Sequence, residues 1–213
     1  MQQGPTRPKD IPIDRPLEED VTLKTIVFGS SRESYYPNTK QATDLLSCPN
    51  LSDVKDRYRE GEKNALVLDS FTRTLRNASN KIWILDTYLH KNFSKNEVLD
   101  SILNSILINK ATIDVRFYLK SKTNEEEIKE IVNFYNDLIR EDRSNSRATT
   151  IALKFYDNLN YLHDRFAIVD NDLWHFGSDV GALLPSLHAT SYGWNAKKLK
   201  ITDFFEELWK EGK

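Results

Sequence analysis

The feature that most constrains this chain is a change of hydrophobic period after residue 61, where short apolar runs begin to alternate with amphipathic stretches. Leu68, Phe71 and Leu75 recur at helical spacing and predict a helix over 62–77, followed by a buried-strand run, KIWILDTYL, at 81–89. Val98, Leu99, Ile102, Leu103, Ile106 and Leu107 form the next helical stripe, and ATIDVRFYL at 111–119 alternates as a strand. Ile128, Ile131, Val132, Tyr135, Leu138 and Ile139 mark a third helix, whose start carries three glutamates suited to its positive end. Strands are predicted at 149–156, 162–169 and 173–176, and Phe204, Phe205, Leu208 and Trp209 give the tail at 201–211 one apolar helical face. Alternation of this kind predicts an α/β sandwich, a mixed β-sheet flanked by helices that each cover it with one face.

The part before residue 61 reads differently. Four prolines fall in the first sixteen residues, which predicts extended or disordered chain, and VTLKTIVF at 21–28 is rich enough in β-branched residues for a strand. Residues 1–60 are therefore treated as an N-terminal extension with possible partner contacts, and 61–213 as the main domain. With 30 basic and 32 acidic residues the formal charge is −2, which excludes a globally basic nucleic-acid binder but not a local basic patch. The single cysteine, Cys48, excludes an internal disulfide framework and a multi-cysteine zinc cluster. No apolar run long enough for a membrane span and no secretory signal pattern occurs, so a cytoplasmic protein is the expectation.

Chemistry concentrates at 162–195, which holds three of the four histidines, His163, His175 and His188. On a strand His163 and Arg165 point to one face and Asp164 to the other. A neutral imidazole beside a permanent guanidinium suits phosphate chemistry: the ring can attack phosphorus while the cation neutralises non-bridging oxygens. Asp170, a turn at Asn171–Asp172, and then Gly177 and Ser178 follow. The glycine permits close approach of the backbone, and the serine hydroxyl can bind a phosphate oxygen. Two other readings stay open on spacing alone. One is a hairpin whose polar residues merely cluster, and the other is a metal site drawn from His163, Asp164, Asp170, Asp172 and His175.

The run His163-x-Arg165-x4-Asp170-x6-Gly177-Ser178 resembles the H-x-K-x4-D-x6-G-S-x-N signature of the phospholipase D superfamily, with Arg165 where that family usually has lysine. The HDRF and LWHFG segments are similar to an arginine variant in bacterial phospholipase-D-like proteins, many of them associated with nucleic-acid processing or defence loci. The IWILDTYL run at 82–89 resembles the first core strand of such domains, so the resemblance spans roughly 61–195. It implies a phospholipase-D-like sandwich and a hydrolase that needs neither metal nor other cofactor. His163 would be the nucleophile that forms a phosphohistidine, a second histidine would serve the leaving oxygen, Arg165 and Ser178 would hold phosphoryl oxygens, and Asp170 would brace the motif. Because one copy of the motif is present, the resemblance implies a homodimer that supplies the second histidine across a two-fold axis.

The chain also departs from that pattern. Val180 stands where the family has asparagine, and no acid occurs in 180–200 to replace the glutamate that orients the histidine; Asp179 and Asp86 are the candidate substitutes. Asp86, Tyr88, His90, Asp179 and His188 are candidate substrate-binding residues, with His188 in PSLHATSYGW, read as a loop at the edge of the pocket. The expected activity is that of a nuclease on DNA or RNA. A phospholipid phosphodiesterase and a catalytically weakened phosphate- or nucleic-acid-binding module are the alternatives.

Overall fold

The computed structural model describes residues 24–28, 55, 58–61, 65–87, 89, 97–121, 125–142, 149–159, 162–181, 183 and 188–213. Seven strands, β1 (Lys24–Phe28), β2 (Lys81–Asp86), β3 (Asp114–Lys120), β4 (Thr150–Tyr156), β5 (Arg165–Val169), β6 (Asp172–Phe176) and β7 (His188–Asn195), form one sheet in the order β1-β7-β6-β5-β2-β3-β4. The sheet is mixed. β2, β3 and β4 run parallel, and β5, β6, β7 and β1 add on antiparallel. The parallel half needs crossover helices, and these are α2 (Glu97–Ile108) and α3 (Glu125–Glu141). Helix α1 (Leu66–Arg76) precedes β2, and α4 (Ile201–Glu211) follows β7.

Side-chain alternation sorts the two faces. Ile82, Ile84, Val115, Phe117, Ala167, Val169, Trp174 and Phe176 join Phe71, Leu75, Ile102, Leu103, Ile106, Ile128 and Val132 in one core beneath α1, α2 and α3. Trp83, Leu85, Tyr118, Ile168 and Leu173 point the other way and pack on Phe205 and Leu208 of α4. The α/β sandwich expected from the alternating pattern is thus the observed architecture, helices on both faces of a mixed sheet. Within α4, Phe204 is the exception to the predicted apolar face, since it lies exposed while Phe205 and Leu208 are buried.

Two buried asparagines finish the helix packing. Asn109 donates from Nδ2 to the carbonyl of Leu75 in the last turn of α1 and to that of Ala78 just beyond it. Asn136 of α3 pairs with both the N–H and the carbonyl of Ile151 on edge strand β4. An edge strand exposes unpaired backbone groups, and this amide covers some of them.

Strand β1 comes from within the predicted 21–28 run and pairs with β7, so the segment before residue 61 contributes a strand to the sheet. Strand β7 itself was not expected, because 188–195 reads as loop. The register explains why: Leu173 pairs with Trp194 but Trp174 pairs with Tyr192, so a bulge falls at Gly193, whose φ is +106°. Tyr192 stacks on Trp174 at 3.9 Å under the three-helix face, while Trp194, two residues on, packs with the α4 core. The bulge therefore breaks the period-two signal that identifies a strand. Replacing Gly193 with alanine forces a Cβ into this left-handed conformation and is expected to cost about 1–3 kcal/mol, read as a lower midpoint in urea denaturation with an unchanged slope.

Candidate active site

The C-terminal ends of parallel strands are where ligand groups gather in open α/β sheets. Here that end of the sheet holds Asp86 at the end of β2, Arg165 at the start of the antiparallel β5, and Gly177 and Ser178 just after β6. Asp86 has no solvent exposure. A buried carboxylate needs donors, and this one accepts the N–H of Leu89 at 3.0 Å and that of Val180 at 2.9 Å. The Arg165 guanidinium supplies the countercharge, with Nε 3.9 Å from Asp86 and a terminal nitrogen 3.4 Å from Asp179. Another terminal nitrogen donates to the carbonyl of His163 at 2.9 Å. Arg165 pairs across the strands with Phe176 and so lies on the three-helix side of the sheet.

His163 sits differently from the sequence-based expectation. Strand β5 begins at Arg165, so His163 and Asp164 precede it and strand alternation does not set their directions. The His163 side chain is 93% exposed, and its Nδ1 lies 3.0 Å from one oxygen of Asp164. The other oxygen of Asp164 is 2.9 Å from Nε2 of His175, whose ring stacks on Phe166 with centroids 5.1 Å apart. Hydrogen bonds from His163 and then His175 hold the Asp164 carboxyl below the usual carboxylate range. Asp164 is the residue that motif reasoning passed over. The available signal was an acid between the histidine and the arginine, and its significance needs His175, eleven positions away on the neighbouring strand.

Gly177 donates to the carbonyl of Ala189 at 3.0 Å, and a Cβ at this glycine would meet that same oxygen at 3.0 Å. Ser178, next along, has a buried hydroxyl without a hydrogen-bond partner. His188 opens β7 and is buried, which corrects its assignment to a pocket-edge loop. Tyr88 and His90 lie outside the described residues. The basic run at Lys197, Lys198 and Lys200 is exposed but follows Ala196, whose N–H donates to Asn171 at the opposite end of β5 from Arg165.

Asp170 lies at that same far end, with φ at +56°, in the two-residue connection between β5 and β6. Its carboxylate accepts the N–H groups of Ser79, Asn80 and Lys81 and the Ser79 hydroxyl at 2.7–3.1 Å. Burial pushes its pKa up, but the backbone donors outweigh burial and hold the carboxyl below the usual range. The five residues weighed as metal ligands are thus divided, His163, Asp164 and His175 at one end of β5, Asp170 and Asp172 at the other. Among the described residues no group of three or more His, Cys, Asp or Glu is arranged to hold a metal ion. No described helix is long and apolar enough to cross a membrane. A hollow of about 500 Å³ lies between α3 and β4, lined by Ser121, Lys129, Asn133 and Asp157 among others, and no residue of the motif borders it.

No family model and no curated protein matches the sequence. Among solved structures the chain is similar to TrmBL2, an archaeal chromatin protein with a novel mode of DNA binding, at 15% identity and a TM-score of 0.44, covering 70% of this chain and 50% of that one. It is similar to NucT from Helicobacter pylori at 11% identity and a TM-score of 0.42, covering 76% of this chain and 92% of that one. A third is phosphatidylserine synthase from Haemophilus influenzae Rd KW20, at 15% identity and a TM-score of 0.46, covering 68% and 35%. The chain thus spans half the length of the first of these structures and about a third of the last.

Two stability measurements follow from this geometry. Asp170→Asn removes a charge that serves four donors and is expected to cost about 2 kcal/mol or more. Because the folded-state pKa is depressed, the wild-type contribution is full above the ordinary aspartate value near ~4 and fades as pH falls below it. Urea denaturation of the variant will therefore show a smaller loss of stability between neutral and acid pH. Asp86→Ala removes the buried anion and is expected to cost about 3–5 kcal/mol, the loss seen when one partner of a buried pair is deleted.

Proposed function

We propose that this protein is a phosphodiesterase that cleaves DNA or RNA without a metal ion, using His163 as nucleophile. The observation that carries this reading is the form of His163: an exposed imidazole with Nδ1 held by Asp164, on a residue whose backbone carbonyl is bonded by a guanidinium fixed at the end of the sheet. With Nδ1 engaged, the lone pair of Nε2 is the group that meets a phosphate. Nε2 bonds to phosphorus as the P–O bond to the leaving oxygen breaks, and a second imidazole gives that oxygen its proton. Water then attacks phosphorus, the N–P bond breaks, and the second imidazole takes the water's proton. Arg165 neutralises charge on the non-bridging oxygens, and the Ser178 hydroxyl, which is unpartnered but buried, joins them only once the phosphate or a local shift uncovers it.

The second imidazole is proposed to come from another copy of the chain, because one copy of the motif is present. The spacing of the motif favours this phosphoryl chemistry over a chance cluster of polar residues. Nucleic acid is preferred to phospholipid because no apolar segment suited to an interface is evident in the sequence. One observation favours the weaker alternative, a phosphate-binding module with little turnover: Arg165 already faces two carboxylates, which a phosphate must displace or share.

Incubation with single- and double-stranded DNA and RNA in excess chelator is expected to give cleavage that rises with the dimer fraction and falls at least about 10³-fold in His163→Ala. A covalent phosphoenzyme, labile in acid and absent from that variant, is expected on rapid quenching. Cleavage unchanged by His163→Ala overturns the reading, and nucleic-acid binding with no cleavage and no phosphoenzyme establishes the module instead.

A further inference from the structure

We infer that Asp164 is the positioning carboxylate of His163 and that His175 holds it in place, a His–Asp–His chain contained within one subunit; this rests on the reading of His163 as nucleophile. An imidazole that attacks phosphorus through Nε2 must carry its proton on Nδ1, and a free neutral imidazole does not hold that tautomer by itself. A carboxylate is an acceptor only, so the 3.0 Å contact between Asp164 and Nδ1 of His163 requires the proton to be on Nδ1. The 2.9 Å contact between the second oxygen and His175 requires a proton on Nε2 of that ring. Both imidazoles are satisfied in their neutral forms, each donating one N–H to the shared carboxylate.

The chain is built to hold its shape. His175 lies within β6, opposite Phe166 in the ladder, and the two rings stack at an interplanar angle of 25°. That fixes where Nε2 points, and hence where Asp164 is anchored. The His163 backbone is separately tied by the bond from Arg165 to its carbonyl, so the free ring is the only part left for Asp164 to orient. Asp86 and Asp179, the substitutes suggested by the sequence for the missing glutamate, are instead turned toward Arg165. The carboxylate that orients the histidine therefore comes from inside the H-x-R triplet.

The inference is tested on tautomers and on rates. Two-bond ¹⁵N–¹H correlation spectra of the full chain at neutral pH, with His163→Ala and His175→Ala used for assignment, are expected to show His163 as the Nδ1–H form. In Asp164→Ala that signal is expected to shift to mostly Nε2–H, and in His175→Phe to shift part of the way. His175→Gln keeps an N–H donor and is expected to stay near wild type. On a cleaved substrate, Asp164→Ala is expected to lower kcat about 10²-fold or more with little change in KM, and Asp164→Glu to recover part of the loss. Circular dichroism and thermal melts establish that each variant is folded.

A wild-type His163 in the Nδ1–H form that does not respond to Asp164→Ala overturns the inference, as does a kcat unchanged in a folded Asp164→Ala. If His175→Phe moves neither readout, the part assigned to His175 falls. Failure of the wild type to cleave any phosphodiester instead removes the function proposed above, while the spectra still decide whether Asp164 sets the tautomer.

Discussion

A carboxylate with no solvent exposure sits at the end of β2, and this end of the sheet is arranged around its needs. Ionised Asp86 is tolerable in that position only with donors and a countercharge close by. One backbone N–H comes from Leu89, three residues on, another from Val180 after β6, and the charge comes from the first residue of β5. One buried anion therefore ties the turn after β2 to the segment after β6 and to the start of β5. Val180 is held here through its backbone.

The other end of β5 carries a matching clamp. Asp170 reaches from the end of β5 to the N–H groups leading into β2, while Asp86 reaches from the end of β2 to the start of β5. An antiparallel pair pinned at both ends has little freedom to slip. A shift of one residue would turn Arg165 from the three-helix side to the α4 side and break both clamps together. The precision of the site thus derives from strand register, fixed by carboxylates at opposite ends of one strand pair.

Much of this was legible in the sequence for a physical reason. Apolar runs such as that at 81–86 and helical stripes such as that at 97–108 encode burial directly, and burial decides the layers. The motif spacing also translates into structure, since a five-residue strand, a two-residue connection and a second five-residue strand carry Arg165 to Gly177 in register. What escaped depends on contacts made across strands. Gly193 hides β7 because its bulge sends Tyr192 and Trp194 to opposite faces. His163 evades strand reasoning because β5 starts two residues later, and Asp164 looks incidental until His175 is placed opposite Phe166.

The charges around Arg165 bear on how the proposed site would admit a phosphate. Arg165 is flanked by Asp86 and Asp179, with Asp164 close by in sequence, and the exposed lysines at 197–200 lie at the far end of the hairpin. The two carboxylates facing Arg165 are not equivalent. Asp86 is fully buried and bonded to two backbone groups, so releasing it would strand a charge in the interior. Asp179 is 40% exposed and lies farther than hydrogen-bonding contact in a good ion pair, so exchanging it for a phosphate oxygen costs little because water can take its place. The buried carboxylate keeps the arginine in position, and the exposed one is the partner that a phosphate would replace on the proposed reading.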